Sequence, residues 1–144
     1  MCSKAGFQFR AQRAKRDLYC GQPGTWLDLA ENKLDNARRI FEIGLYDDAV
    51  SRAYYAMFYA AKAALLSEGV DLRRHSSAVT KFRELFVITG RVGAEYLRYL
   101  GRAQSARERS DYAPFVPLEH DGAKEILKTA ESFVGKIKKL LDAS

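Results

Sequence analysis

Apolar residues recur at spacings of three and four along most of the chain. No stretch of Val, Ile and Thr alternates with polar residues at period two, so the pattern predicts helices and no strand. Thr25-Trp26-Leu27-Asp28 has the form of a capping box, with Asp28 in place of the usual Glu. It opens a helix whose Leu27, Ala30, Leu34, Ala37 and Phe41 share one face and which ends at Gly44, since glycine tolerates the left-handed C-terminal cap. After a turn at Leu45 to Asp47, a second helix covers Asp48 to Glu68 and is closed by Gly69. Its Val50, Ala53, Tyr54, Met57, Phe58, Ala61, Ala64 and Leu65 make one broad apolar face, and Arg52, Tyr55, Ala56, Tyr59 and Ala63 group on the opposite side. A helix that is apolar or aromatic nearly all round belongs at the centre of a bundle or at a subunit interface. A third helix, from about Ser76 to Thr89, turns Val79, Phe82, Leu85 and Phe86 inward and stops at Gly90. A fourth covers about Gly93 to Asp111, and Pro114 and Pro117 then break the chain. The last, from about Glu119 to Leu141, buries Ile126, Ala130, Phe133, Ile137 and Leu140.

These elements predict an all-α, single-domain, up-and-down bundle of about five helices around a four-helix core. The segment from Ala30 to Ala64 has the pattern of one tetratricopeptide hairpin, but no second copy follows about 34 residues on, which excludes a solenoid. A length of 144 residues, 47% hydrophobic and 29% charged, suits one globular domain that buries roughly two-thirds of its unfolded surface. The longest apolar run, Ala53 to Leu66, is interrupted by Lys62 and is too short to span a membrane, so a soluble, cytoplasmic protein without membrane association is expected. Cys2 and Cys20 show no Cys-x-x-Cys or Cys/His ligand spacing, which argues against a disulfide scaffold or a zinc site.

The net charge of +6 is unevenly spread. Within residues 1–24, Lys4, Arg10, Arg13, Lys15 and Arg16 stand against Asp17 alone, so this stretch holds +4 and the other 120 residues only +2. The chain therefore divides into a basic, flexible N-terminal extension, 1–24, and a helical bundle, 25–144. The extension is either a simple leader or a basic RNA-binding arm, and whole-chain basicity says little about the domain itself.

Candidate chemistry concentrates on the fourth helix. With Arg91 placed at 0°, Arg98, Arg102 and Arg109 fall at about 340°, 20° and 0°, a stripe that either tracks phosphates or is a solvated face. Arg107 falls near 160°, about where Tyr96, Leu100 and Ala103 lie, on the face that packs inward. A guanidinium there needs a partner, and Asp111, one turn later, supplies it. That pair either closes the helix end or presents a cation at a cleft with Tyr112 beside it. Arg52, Tyr55 and Tyr59 could line the same cleft. Arginine with aromatics suits a nucleotide through phosphate pairing and base stacking, and equally anchors a protein interface. His75, between Arg73-Arg74 and Ser76-Ser77, opens the third helix, a position that suits a base or a phosphate contact; His120, after Pro117, reads as a first-turn surface residue. There is no glycine-rich phosphate loop, nucleophile elbow, helical histidine pair or carboxylate cluster, so no cofactor and no metal are expected. A metal-free ribonuclease needs only an arginine, a base and a bound RNA backbone, and stays open as an alternative.

Several of these segments together resemble a known family. They are Leu45-Tyr46-Asp47-Asp48-Ala49-Val50-Ser51-Arg52-Ala53-Tyr54-Tyr55-Ala56-Met57-Phe58-Tyr59, His75-Ser76, Phe86-Val87-Ile88-Thr89-Gly90 and Arg107-Glu108-Arg109-Ser110-Asp111-Tyr112. In this order, from about Trp26 to Leu141, the chain is similar to the HEPN domain, in its branch of small stand-alone prokaryotic proteins. The resemblance implies a helical bundle that forms a homodimer and is often encoded beside a minimal nucleotidyltransferase as a toxin and antitoxin pair. Many members of the wider superfamily are metal-independent ribonucleases, with an Arg and, about four to six residues later, a His placed across the dimer cleft. By that resemblance Arg107 is the motif arginine, and Asp111 and Tyr112 stand where the His would lie; His120 is too distant. In some paired systems the nucleotidyltransferase attaches AMP to a tyrosine near this motif, which makes Tyr112 a candidate acceptor. The expected function is a nucleotide- or RNA-binding protein partnered by a nucleotidyltransferase, its cleft lined by Arg52, Tyr55, His75, Arg107, Asp111 and Tyr112. The alternatives are an endoribonuclease using Arg107 with His75 as base, and a non-catalytic dimeric helical adaptor.

Overall fold

The computed structural model describes residues 22–70, 77–112 and 118–143. Among them are five helices and no strand, so the chain is all-α as its periodicity requires. They are α1 (Pro23–Glu42), α2 (Tyr46–Ser67), α3 (Ala78–Phe82, continued by a π-helical turn over Arg83–Val87), α4 (Ala94–Tyr112) and α5 (His120–Asp142). Cys2, Cys20, His75, Pro114, Pro117 and all but the last three residues of the basic extension lie outside the described residues.

α2 is the axis of the fold, packing against α1, α3, α4 and α5, while α5 also touches α1 and α4. Composition explains this position. Seven alanines of α2 are buried (Ala49, Ala53, Ala56, Ala60, Ala61, Ala63 and Ala64), so neighbouring helices approach it closely on several sides. Ala56 and Ala63, on the side opposite the main apolar face, are fully buried, which puts the helix at the centre. α1 turns Ala30, Leu34 and Ala37 onto it, and α5 contributes Ile126, Ala130, Phe133 and Ile137 together with Ala123, Leu127 and Val134. Phe82, Phe86 and Phe133 stack in the core at centroid separations of 5.2 and 5.6 Å, each worth about 1.5–3 kcal/mol of burial.

Several boundaries differ from the periodic reading, for local reasons. α1 starts at Pro23, whose fixed φ suits the first helical turn, so the Thr25/Asp28 capping box is not used: Gln22 is the cap, and no side chain caps the helix. α2 begins at Tyr46, two residues early, with Asp47 and Asp48 in its first turn, where carboxylates favour the helix dipole. Gly44, Gly69 and Gly90 each adopt a positive φ, at the three stops that the sequence marks. The third helix is not one continuous α-helix. Ser77 caps it through Thr80 N, but after Phe82 it widens into a π-turn closed by Ile88 N donating to Arg83 O at 2.9 Å. No described helix is long and apolar enough to cross a membrane.

Candidate functional site

Where α4 runs along α2, Arg107 reaches in over two tyrosines. Its guanidinium carbon lies 5.1 Å from the Tyr54 ring centroid and 5.6 Å from that of Tyr55, and the two rings meet edge to face at 5.1 Å. The arginine side chain is only 26% exposed. Its expected partner is in place but loosely held: an Asp111 carboxylate oxygen stands 3.7 Å from a terminal guanidinium nitrogen, and Asp111 itself is 68% exposed. The Arg107 Nε–H is buried and has no hydrogen-bond partner among the described residues. Leaving a charged donor desolvated and unmade costs on the order of 1–3 kcal/mol, which attraction to two ring faces only partly offsets.

The inward position of Arg107 follows from helix geometry. Leu100 and Ala103, on the same side of α4, are buried, and Tyr96 and Ala106 pack at the core's edge. Tyr54 is the member that periodicity missed. It belongs to the apolar face of α2 and is only 7% exposed, yet its ring is the nearest to Arg107. Burial pushes the Tyr54 phenol above its usual value; Arg107 opposes that shift, and Tyr55 and Glu108 add to it. Tyr54 is therefore a neutral phenol at physiological pH. The adjacent tyrosines at 54 and 55 are the one signal of it that the sequence carries.

Of the other expected site residues, Tyr59 continues the ring series, 6.0 Å from Tyr55. Arg52 is exposed and has no hydrogen bond or ion pair among the described residues. Tyr112 ends α4, with its side chain outside the described residues, as is all of His75. His120 is not brought to Arg107. It packs against Phe41 and Tyr46 at 5.0 and 5.5 Å, its Nδ1 lies 2.9 Å from Asp121, and Tyr46 is about 12 Å of helical rise from Tyr54.

The arginine stripe divides. Arg91 precedes α4, which starts only at Ala94; it covers the Phe86 ring at 4.6 Å and pairs with Glu68 at 3.1 Å, so it leaves the stripe. Arg102 is tied to Glu125 of α5, and with Arg109 it lines an open groove of about 400 Å³ between α4 and α5. Arg109 also borders a second groove, of about 340 Å³, with Asp47, Ser110 and Gly122. Arg98 is exposed. Arg107 and Arg109 are about 200° apart on the helix, so the stripe and the tyrosine-bound arginine are separate sites.

A partly desolvated guanidinium with an unfilled donor, oriented by aromatic rings, has the chemistry to pair with an oxyanion such as a carboxylate or a phosphate. No group of three or more His, Cys, Asp or Glu among the described residues is placed to hold a metal. An all-α bundle with one such cationic, tyrosine-lined site on its central helix pair is the class of protein the fold defines. The HEPN domain model matches residues 24–140, and the chain belongs to the HEPN domain family. Relatives include a Methanocaldococcus jannaschii protein named "Putative toxin", 38% identical over 80% of this chain and 85% of that one. A "UPF0332 protein" of Thermotoga maritima is 33% identical over 81% of this chain and 89% of its own length. Another of that name, from Archaeoglobus fulgidus, is 41% identical over 76% and 86%.

Proposed function

We propose that this chain is a toxin-like HEPN protein that binds the phosphate of a nucleotide or RNA at Arg107 and acts with a nucleotidyltransferase partner. One observation carries the binding reading: the Arg107 guanidinium is held over Tyr54 and Tyr55 with a buried, unsatisfied Nε–H and only a 3.7 Å contact to Asp111. A purely structural arginine in such surroundings would be expected to have its donors filled. An arriving phosphate fills them, and the neighbouring rings offer a face to a base. The toxin reading is supported by family membership and by the name of the Methanocaldococcus relative. The homodimer, the nucleotidyltransferase and the role of Tyr112 as AMP acceptor rest on the family resemblance.

The test is retention of labelled single-stranded RNA and of AMP by the purified protein, at low salt with a metal chelator, beside Arg107→Ala. Binding by the variant should weaken by about 1–3 kcal/mol, roughly 5- to 150-fold. Unchanged binding by a folded variant makes Arg107 structural. RNA cleavage in the chelator that is lost with Arg107 would instead move the reading to a metal-independent ribonuclease.

A further inference from the structure

Gln104, Arg107, Glu108 and Asp111 of α4 are spaced i, i+3, i+4 and i+7, so they share one face of the helix. Two of them are acids beside the single guanidinium. Asp111 stands 3.7 Å from a terminal nitrogen of Arg107, beyond hydrogen-bond reach, and is 68% exposed. A pair so long and so solvated contributes little to the fold, so the carboxylate is not needed to hold the arginine in place. Glu108 is also exposed, and Gln104 Nε2 donates to it at 3.4 Å. Its field reaches the same rings: the Tyr54 phenol, raised chiefly by burial, is lowered by Arg107 and raised by Tyr55 and Glu108. Because the Arg107 Nε–H is buried, a ligand meets the guanidinium first at its terminal nitrogens, where Asp111 stands. Arg109 lies about 200° round the helix, and Arg52, one turn before Tyr55 on α2, is exposed, so water screens its charge.

We propose that Asp111, supported by Glu108, makes the Arg107 site selective for a singly charged phosphodiester over a doubly charged terminal phosphate. The ligand is then an internal linkage of an RNA strand and not the phosphate group of a mononucleotide. This rests on the reading of Arg107 as a phosphate site. A guanidinium edge pairs with two oxygens at a time. In a phosphodiester those two oxygens carry the whole charge. A terminal phosphate carries about −1.5 to −2 at pH 7, and its third anionic oxygen is left toward the two carboxylates. Repulsion grows in proportion to the charge brought in, so the acids oppose the monoester more than the diester. Asp111 is in this reading a specificity-determining residue that weakens binding, the opposite of a ligand contact.

The full chain is titrated by calorimetry with three ligands that share one base and sugar: adenosine, AMP and the 5′-methyl ester of AMP, in chelator at low salt. Asp111→Asn, Glu108→Gln and Arg107→Ala follow, each checked for helicity and oligomeric state. The parent should bind the methyl ester more tightly than AMP. Asp111→Asn should raise the affinity for AMP by about fivefold, the scale of one solvated charge interaction, and that for the singly charged ester by about twofold, with adenosine unchanged. Glu108→Gln should move the ratio the same way by a smaller step, and it carries the test if Asp111→Asn loses helicity. High salt should shrink the difference between the two esters. AMP bound as tightly as its methyl ester by the parent, equal gains for the two in Asp111→Asn, or a loss of both there overturns the selectivity, and leaves the phosphate reading standing where Arg107→Ala weakens both. Full binding by Arg107→Ala, or no binding by the parent, overturns the phosphate reading and the selectivity with it.

Discussion

Arg107 and Arg109 sit two residues apart on α4 and live in different physical worlds. Arg107 is turned onto α2, over two tyrosines, with a desolvated donor that no described residue fills. Arg109 opens into the grooves beside α5, where Arg102 is already satisfied by Glu125 at 2.6 Å and both members of that pair are more than half exposed. Water can replace any partner on the outer side at little cost, whereas on the inner side it is largely excluded. The same residue type on one helix therefore yields a ring-bound, partly desolvated guanidinium on one face and an ordinary solvated surface on the other.

The contrast can be broken most severely through the rings beneath Arg107. Tyr54→Ala removes a nearly buried aromatic from the core and leaves the guanidinium over a void; it should destabilise the protein by about 3–5 kcal/mol in denaturant unfolding. Loss of less than about 1 kcal/mol would mean that α4 does not depend on this contact. Next in size is the difference between the two arginines in RNA affinity. Against the larger loss expected for Arg107→Ala, Arg109→Ala should change affinity by less than about 1 kcal/mol and act mainly by lowering the salt dependence. Equal losses, with equal salt slopes, would merge the two faces into one electrostatic surface. Smaller still are the ion pairs. Double-mutant cycles for Arg102 with Glu125 and for Arg107 with Asp111 should each give no more than about 1 kcal/mol, since the first pair is solvated and the second is long.

The smallest effect sharpens the comparison through pH. The Tyr54 phenol is raised above its unfolded value of about 10 by burial. Between the unfolded and folded values the native state therefore holds a proton that the unfolded state has released. Its contribution to stability is complete below about pH 10 and is lost as pH rises through the folded value. Tyr54→Phe should flatten the alkaline limb of a stability-against-pH curve, and an unchanged limb would assign that limb to other groups.

Much of this was legible in residue order. The burial of Ala30, Leu34 and Ala37, the stops at Gly44, Gly69 and Gly90, and the inward turn of Arg107 with Asp111 one turn later follow from the 3.6-residue period and from glycine's access to positive φ. Other features were not. The departure of Arg91 from the stripe depends on α4 starting at Ala94, so that Arg91 falls back on Phe86 and Glu68. The π-turn after Phe82 inserts a residue that no periodic pattern anticipates. Tyr54 looked like core because it is core, and a ring buried on one side can still offer a face to a cation.

What the sequence alone determined, then, is whatever a single helix can express: which residues share a face, where a helix must stop, and that one arginine is directed inward. These depend on a fixed local geometry that neighbours in the chain carry with them. Which α2 rings lie under that arginine, and that its Nε is left without a partner among the described residues, were decided only when α2 and α4 packed together. Such contacts join residues far apart in the chain, and their distances are set by how closely the buried alanines of α2 let its neighbours approach.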